Sequence, residues 1–362
     1  MRTVTAIALA VIAGIVIGAV WYFGGPPAGV TGSASAPAGT LAFPGLAPKL
    51  ATAAKVAVIS KDQALMIARA GDAWSLTDKG GYPVRPDKLH ELLTGLTELR
   101  LTEPRTSDPA LLERLGLGDP TNANSTAVQV QVLDANSQVL AELILGHRRV
   151  RPQGNLSETI YVRRPGQDQA WLAEGQLQAD TDPQLWIDRD IANIDGKKVA
   201  SVVVHRGDAV LEFGRDGDKP VLKVPAEHPK LDDYRVEALF GALEMLTLTD
   251  VKPAAQQPGE KIGTAAITLT DGTVVEAAVS GVAKADAKEP GTKDIWAQFA
   301  VRGESDEAKK LAARVTGWAY QIGSWKEKAF VPTLDDLKAA EKSPAAAEEK
   351  KPAAGEAPAA SP

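Results

Sequence analysis

Residue types able to carry acid–base, nucleophilic or metal chemistry are few and dispersed in this chain of 362 residues. The four histidines, His90, His147, His205 and His228, show no H-E-x-x-H or related spacing, whereas a zinc ion needs several such donors to converge. His90 falls inside a leucine-rich helical pattern and reads as a partly exposed helix residue. The absence of cysteine removes thiolate ligands, disulfides and cysteine nucleophiles. No Walker A, G-x-S-x-G or G-x-G-x-x-G run occurs, so neither phosphate loops nor a serine nucleophile elbow has its signature. Asp180, Asp182, Asp188 and Asp190 offer the oxygen donors a calcium ion takes. The EF-hand frame counted from Asp180 fails, however, with Leu185 in the glycine position and Ile191 in the closing glutamate position, so a solvated loop is expected. The residues therefore predict no enzymatic activity, no metal and no cofactor.

One basic concentration stands out. His147, Arg148, Arg149 and Arg151 precede Arg163 and Arg164, which fall on the next predicted strand. Adjacent strands would gather them into a patch for anionic lipid or an acidic partner, or use them as charges that block edge-to-edge pairing. The net charge of −6 gives no nucleic-acid footprint.

The elements that must position these residues begin with an uncharged run from Val4 to Phe23, long enough to cross a bilayer core as a helix. Trp21 and Tyr22 lie at its far end and Arg2 at its near end, which predicts a cytoplasmic N-terminus and a periplasmic body at a bacterial inner membrane. A signal peptide would carry a shorter apolar stretch, so residues 1–23 read as an uncleaved transmembrane anchor. Gly14 and Gly18 form a G-x-x-x-G pair on which two such helices would pack as a homodimer, although glycine is also common in membrane helices without that role. Residues 24–54 read as a flexible Gly/Pro/Ala linker and 338–362 as a disordered Ala/Pro/Lys/Glu tail.

Between them a pattern recurs. Leu89, Leu92, Leu93, Leu96 and Leu99 follow helical spacing, and Val236, Leu239, Phe240, Leu243 and Leu246 repeat the same intervals. Short β-type runs precede and follow each stripe, with Asp271-Gly272 marking a hairpin in the second half. The expected fold is α+β: two tandem homologous units, 55–195 and 199–330, each an antiparallel sheet with a helix packed on one face.

Several of these residues carry a resemblance. Trp74 after a hairpin, the first leucine stripe, Leu115-Gly116-Leu117-Gly118-Asp119-Pro120, Leu145-Gly146, Ile160-Tyr161-Val162-Arg163 and Trp318-Ala319-Tyr320-Gln321-Ile322 together resemble the bacterial domain-of-unknown-function family numbered 4340. Here Leu115 replaces the usual tyrosine before Gly-Leu, and the segment is expected to form a turn after a short helix. The resemblance implies a single-anchor envelope protein linked with gliding-motility-type ABC transporters, without catalytic residues.

The expected function is that of a non-enzymatic, membrane-anchored periplasmic accessory or scaffold protein, with ABC-transporter membrane subunits as partners and no nucleic acid. The alternative is a periplasmic ligand-binding module with a cleft between the two units, which Trp74, Trp171 or Trp296 would line. A hydrolase would instead require a convergent nucleophile, base and oxyanion donors.

Overall fold

The computed structural model describes residues 39–149, 158–284 and 292–339. The run Val4–Phe23 with Gly14 and Gly18, the segment 24–38, Arg151 and residues 340–362 lie outside the described part. Among the described residues no helix is long and apolar enough to cross a membrane.

The chain divides into two compact units, Met1–Asp188 and Arg189–Pro362. In chain order the first contains Thr40–Leu41 (β1), Leu46–Lys49 (α1), Ala53–Ile59 (β2), Ala64–Ala70 (β3), Ala73–Leu76 (β4), Tyr82–Pro83 (β5), Pro86–Glu98 (α2) and Arg100–Pro104 (β6). Pro109–Leu112 (α3), Val128–Asp134 (β7), Val139–Arg149 (β8), Thr159–Arg163 (β9) and Ala170–Glu174 (β10) complete it. Its ten strands pair in the order β1-β6-β10-β9-β8-β7-β2-β3-β4-β5.

The second unit contains Asp190–Ala192 (β11), Val199–Arg206 (β12), Ala209–Asp216 (β13), Lys219–Val224 (β14), Asp233–Phe240 (α4) and Leu246–Pro253 (β15). Glu260–Leu269 (β16), Val274–Ala283 (β17), Lys293–Arg302 (β18), Asp306–Val315 (α5), Trp318–Ile322 (β19) and Lys326–Phe330 (α6) follow. The strand order is β11-β15-β19-β18-β17-β16-β12-β13-β14. Position by position this is the order of the first sheet, which adds β5 at one edge. Neighbouring strands pair antiparallel in both sheets.

The local sequence explains these elements. In β17 burial alternates along the strand, with Val275, Ala277 and Val279 inside, as the two-residue period requires. The β16–β17 hairpin turns at Gly272, whose φ of +83° suits a residue without Cβ, while Asp271 accepts from the Thr273 amide at 2.9 Å. Helix α2 starts on Pro86 and buries Leu89, Leu92 and Leu96, each side chain contributing about 2 kcal/mol of hydrophobic stabilisation. Helix α4 is capped by Asp232, whose carboxylate accepts from the amides of Tyr234 and Arg235 at 3.0 and 3.3 Å. It packs on β12 and β14.

Three boundaries differ from expectation. Residues 39–54 are not linker: β1 pairs with β6, and Ala42, Phe43, Leu46 and Ala53 are buried, so a few apolar residues suffice to dock a segment poor in charge. The units divide at Arg189 because β11 pairs with β15 and so belongs to the second sheet. The second helix ends at Phe240, not Leu246; Leu243 and Leu246 are still buried, one in a turn and the other opening β15.

Candidate functional site

The basic residues of the first unit do not converge. Arg148 and Arg149 pair opposite Ile160 and Thr159, and neighbours along a strand face opposite sides of a sheet. Arg148 forms an ion pair with Glu158, and the Arg149 guanidinium lies 5.1 Å from the Tyr161 ring centroid. His147 Nε2 sits 3.3 Å from Thr126 Oγ1. Arg163 donates to the carbonyls of Leu117 and Gln167, both at 3.1 Å. Arg164 donates to the Ala42 carbonyl, its guanidinium 5.0 Å from the Phe43 ring. Burial lowers the pKa of both Arg163 and Arg164 from the ordinary guanidinium value. Four of these arginines thus brace the first sheet.

The Leu115–Pro120 segment shows what Arg163 supports. A 3-10 turn, Glu113–Leu115, ends at Gly116 with φ +69°, the expected turn after a short helix. Leu117 then enters a buried cluster with Leu112, Ala127, Ile144, Tyr161 and Leu172. Gly146 has no room for a Cβ, which would press into the Leu115 carbonyl.

The aspartate cluster is also used locally. Asp180 accepts from the Asp182 amide at 2.7 Å, and Asp182 caps the next 3-10 turn through the Gln184 amide at 2.9 Å. Among the described residues no three acidic or histidine side chains are placed to hold a metal. Trp171 and Trp296 are buried in different sheets, the latter beneath Lys252 at 5.2 Å.

Two features of the second unit have no counterpart in the sequence patterns above. The first is a groove of about 300 Å³ between the β12–β13 hairpin and the segment after α6, lined by Val204, Arg206, Val210, Leu211, Pro225 and Leu334 among others. Arg206 is committed to the Val331 carbonyl at 2.6 Å and to Glu327 at 2.9 Å. What remains of the lining is mostly apolar, with the Arg206 guanidinium already paired.

The second feature is a buried cation at the end of α4. Lys326, 8 % exposed, donates from Nζ to the carbonyls of Ala242 and Glu244 at 2.8 and 3.0 Å. Burial pulls its pKa down and the nearby Glu244 carboxylate pulls it back up. The turn it braces places Met245 in the left-handed region, φ +42°, with its amide donating to Asn193 Oδ1 at 3.0 Å. Sequence periodicity passes over this lysine because nothing in its spacing marks it as buried.

No curated protein and no solved structure matches the chain. A family model, a domain of unknown function, matches residues 74–263, from Trp74 in the first sheet to Gly263 in the second. The match holds the first leucine stripe, the Leu115–Pro120 turn and the Ile160–Arg163 strand, while Trp318–Ile322 falls beyond it. Since more than half of the sequence is covered, the chain belongs to the domain-of-unknown-function family DUF4340.

Proposed function

We propose that the chain is a non-enzymatic accessory or scaffold protein, anchored by Val4–Phe23 with its body in the periplasm, and associated with an ABC-transporter-type membrane complex. The observation that carries this reading is the uncharged apolar run Val4–Phe23 ahead of two sheet units. The internal use of the basic cluster supports it, since those arginines hold backbone carbonyls, a carboxylate and rings within one unit. The two units arose by internal duplication, a reading supported by their common strand order. Gly14 and Gly18 provide a face for a homodimer within the bilayer.

The test is crosslinking of the full-length chain in its native membrane, with co-purifying proteins identified by mass spectrometry. A chain lacking residues 1–38, which keeps β1 and the first sheet intact, is the control. Recovery of a transporter membrane subunit, diminished in the control, is the expected result. No reproducible partner would reject the accessory reading.

A further inference from the structure

Among the described residues, Met245 and Trp325 are large apolar side chains left 77 % and 73 % exposed. Both adjoin the same buried lysine: Met245 follows Glu244, whose carbonyl accepts from Lys326, and Trp325 immediately precedes Lys326. The turn that presents Met245 is tied to its surroundings by hydrogen bonds. Besides the Asn193 and Lys326 contacts, the Gly196 amide donates to Glu244 Oε1 at 2.6 Å. A left-handed conformation is costly for a residue with a Cβ, and these polar contacts offset that cost at Met245.

The first unit does not share this arrangement. Glu98, which ends α2 two residues before β6, is exposed and charged, Leu99 after it is buried, and Leu177, in the segment after β10, is also buried. The exposed apolar pair therefore belongs to the second unit alone. Beside it, the 3-10 turn Gly196–Lys198 carries Lys197 and Lys198, both exposed and in none of the ion pairs among the described residues. Gly196 of that turn donates to Glu244, which places the turn carrying the two lysines next to the Met245 turn.

We propose that this corner of the second unit is a docking surface for anionic lipid, with Met245 and Trp325 entering the headgroup layer and Lys197 and Lys198 facing its phosphates. An aromatic ring and a flexible apolar chain edged by free lysines match the chemistry of a bilayer interface, where tryptophan prefers the headgroup level and cations meet a negative surface potential. The proposal rests on the anchored reading above, because a tether to the same bilayer raises the effective lipid concentration at the surface.

Because the chain has no cysteine, Ser324→Cys creates a single labelling site beside Trp325 and leaves both apolar side chains in place. The full-length chain, labelled there with an environment-sensitive fluorophore, is mixed with phosphatidylcholine vesicles with and without phosphatidylglycerol. The expected result is a several-fold emission rise on the anionic vesicles, weakened by salt and by Lys197→Glu with Lys198→Glu. Met245→Glu with Trp325→Glu should abolish the rise and leave the far-ultraviolet spectrum and thermal midpoint unchanged. Vesicle flotation of the same samples reports the anchor separately. A chain that floats with either vesicle while the label stays silent overturns the docking surface and leaves the anchored reading standing. A chain that does not float with neutral vesicles overturns the anchor, and the label on anionic vesicles then decides the surface by itself. An emission rise without lipid, growing with protein concentration, would assign the surface to a second copy and also overturn the proposal.

Discussion

The two units close the C-terminal end of their first long helix with opposite chemistry. In the first, α2 runs to Glu98 and passes directly into β6, with the Leu99 amide donating to the Gly95 carbonyl at 3.1 Å. The segment after β10 crosses this helix end so closely that a Cβ on Gly95 would press into the Gln176 carbonyl, and Leu177 packs there at 1 % exposure. In the second unit α4 stops at Phe240, and a turn with irregular backbone leads into β15. The Ala242 and Glu244 carbonyls of that turn are met by Lys326 from the segment after β19. A continuous helix leaves room for an apolar plug, whereas an early stop exposes acceptors that need a donor. A cation just past the negative end of α4 is also favoured by the helix dipole.

Reciprocal substitution is the strongest way to break this comparison. Leu177→Lys places an ammonium where the helix end offers it no free carbonyl, and about 3–5 kcal/mol of stability should be lost. Leu177→Ala removes only the packing and should cost about 2–5 kcal/mol according to how far the site collapses. Lys326→Leu relieves a buried charge but leaves the Ala242 and Glu244 carbonyls unmet, so the expected loss is smaller, about 1–3 kcal/mol. Urea unfolding of the full-length chain, read by hydrogen exchange at α2 and α4, separates the units. Equal tolerance of Leu177→Lys and Lys326→Leu would end the claim that the two sites differ in kind.

A further prediction concerns the segment that follows Lys326. Asp336 is subject to burial, which opposes ionisation, yet hydrogen bonds from Lys328 and Thr333 outweigh it and hold the carboxyl at about 2. Its folded-state pKa lies below the ordinary value, so its contribution is present above about pH 4 and is lost as pH falls toward 2. Asp336→Asn should destabilise the second unit by about 1 kcal/mol at neutral pH and flatten the acid limb of its stability profile. An unchanged acid limb would show that the segment is held by its buried Phe330, Val331 and Leu337 alone.

Much of this architecture is legible from local signals, because both leucine-type stripes and the alternating valines are imposed by burial on one face. The common strand order is foreshadowed by the repeated stripe, although its extent depends on pairings between residues far apart in sequence. Residues 39–54 resemble linker in sequence because a segment with a single charge, Lys49, and several Gly, Pro and Ala shows no strand pattern until its partner strand is known. The arginine cluster was visible as charge, but its side chains divide between two sheet faces and meet acceptors from distant segments, such as Leu117 and Ala42. Lys326 gives no sequence signal at all, since lysine is normally exposed and its burial follows from where the preceding turn leaves its carbonyls.

The smallest effect sharpens the comparison most finely. Met245 and Glu98 each precede the last leucine of the repeated stripe, Leu246 and Leu99, but Glu98 ends a helix whereas Met245 lies in a turn and adopts a positive φ. Met245→Gly should remove the steric cost of φ +42°, while the added freedom of the unfolded chain offsets part of that gain. With the side chain 77 % exposed, little packing is lost, so the net change should be stabilising by about 0.5 kcal/mol or less. Glu98→Gly sits at the end of a regular helix and should instead destabilise by about 0.5–1 kcal/mol. Thermal midpoints of the two variants should therefore move in opposite directions. Movement in the same direction would mean that the left-handed turn carries no strain and that the second unit presents Met245 at no cost.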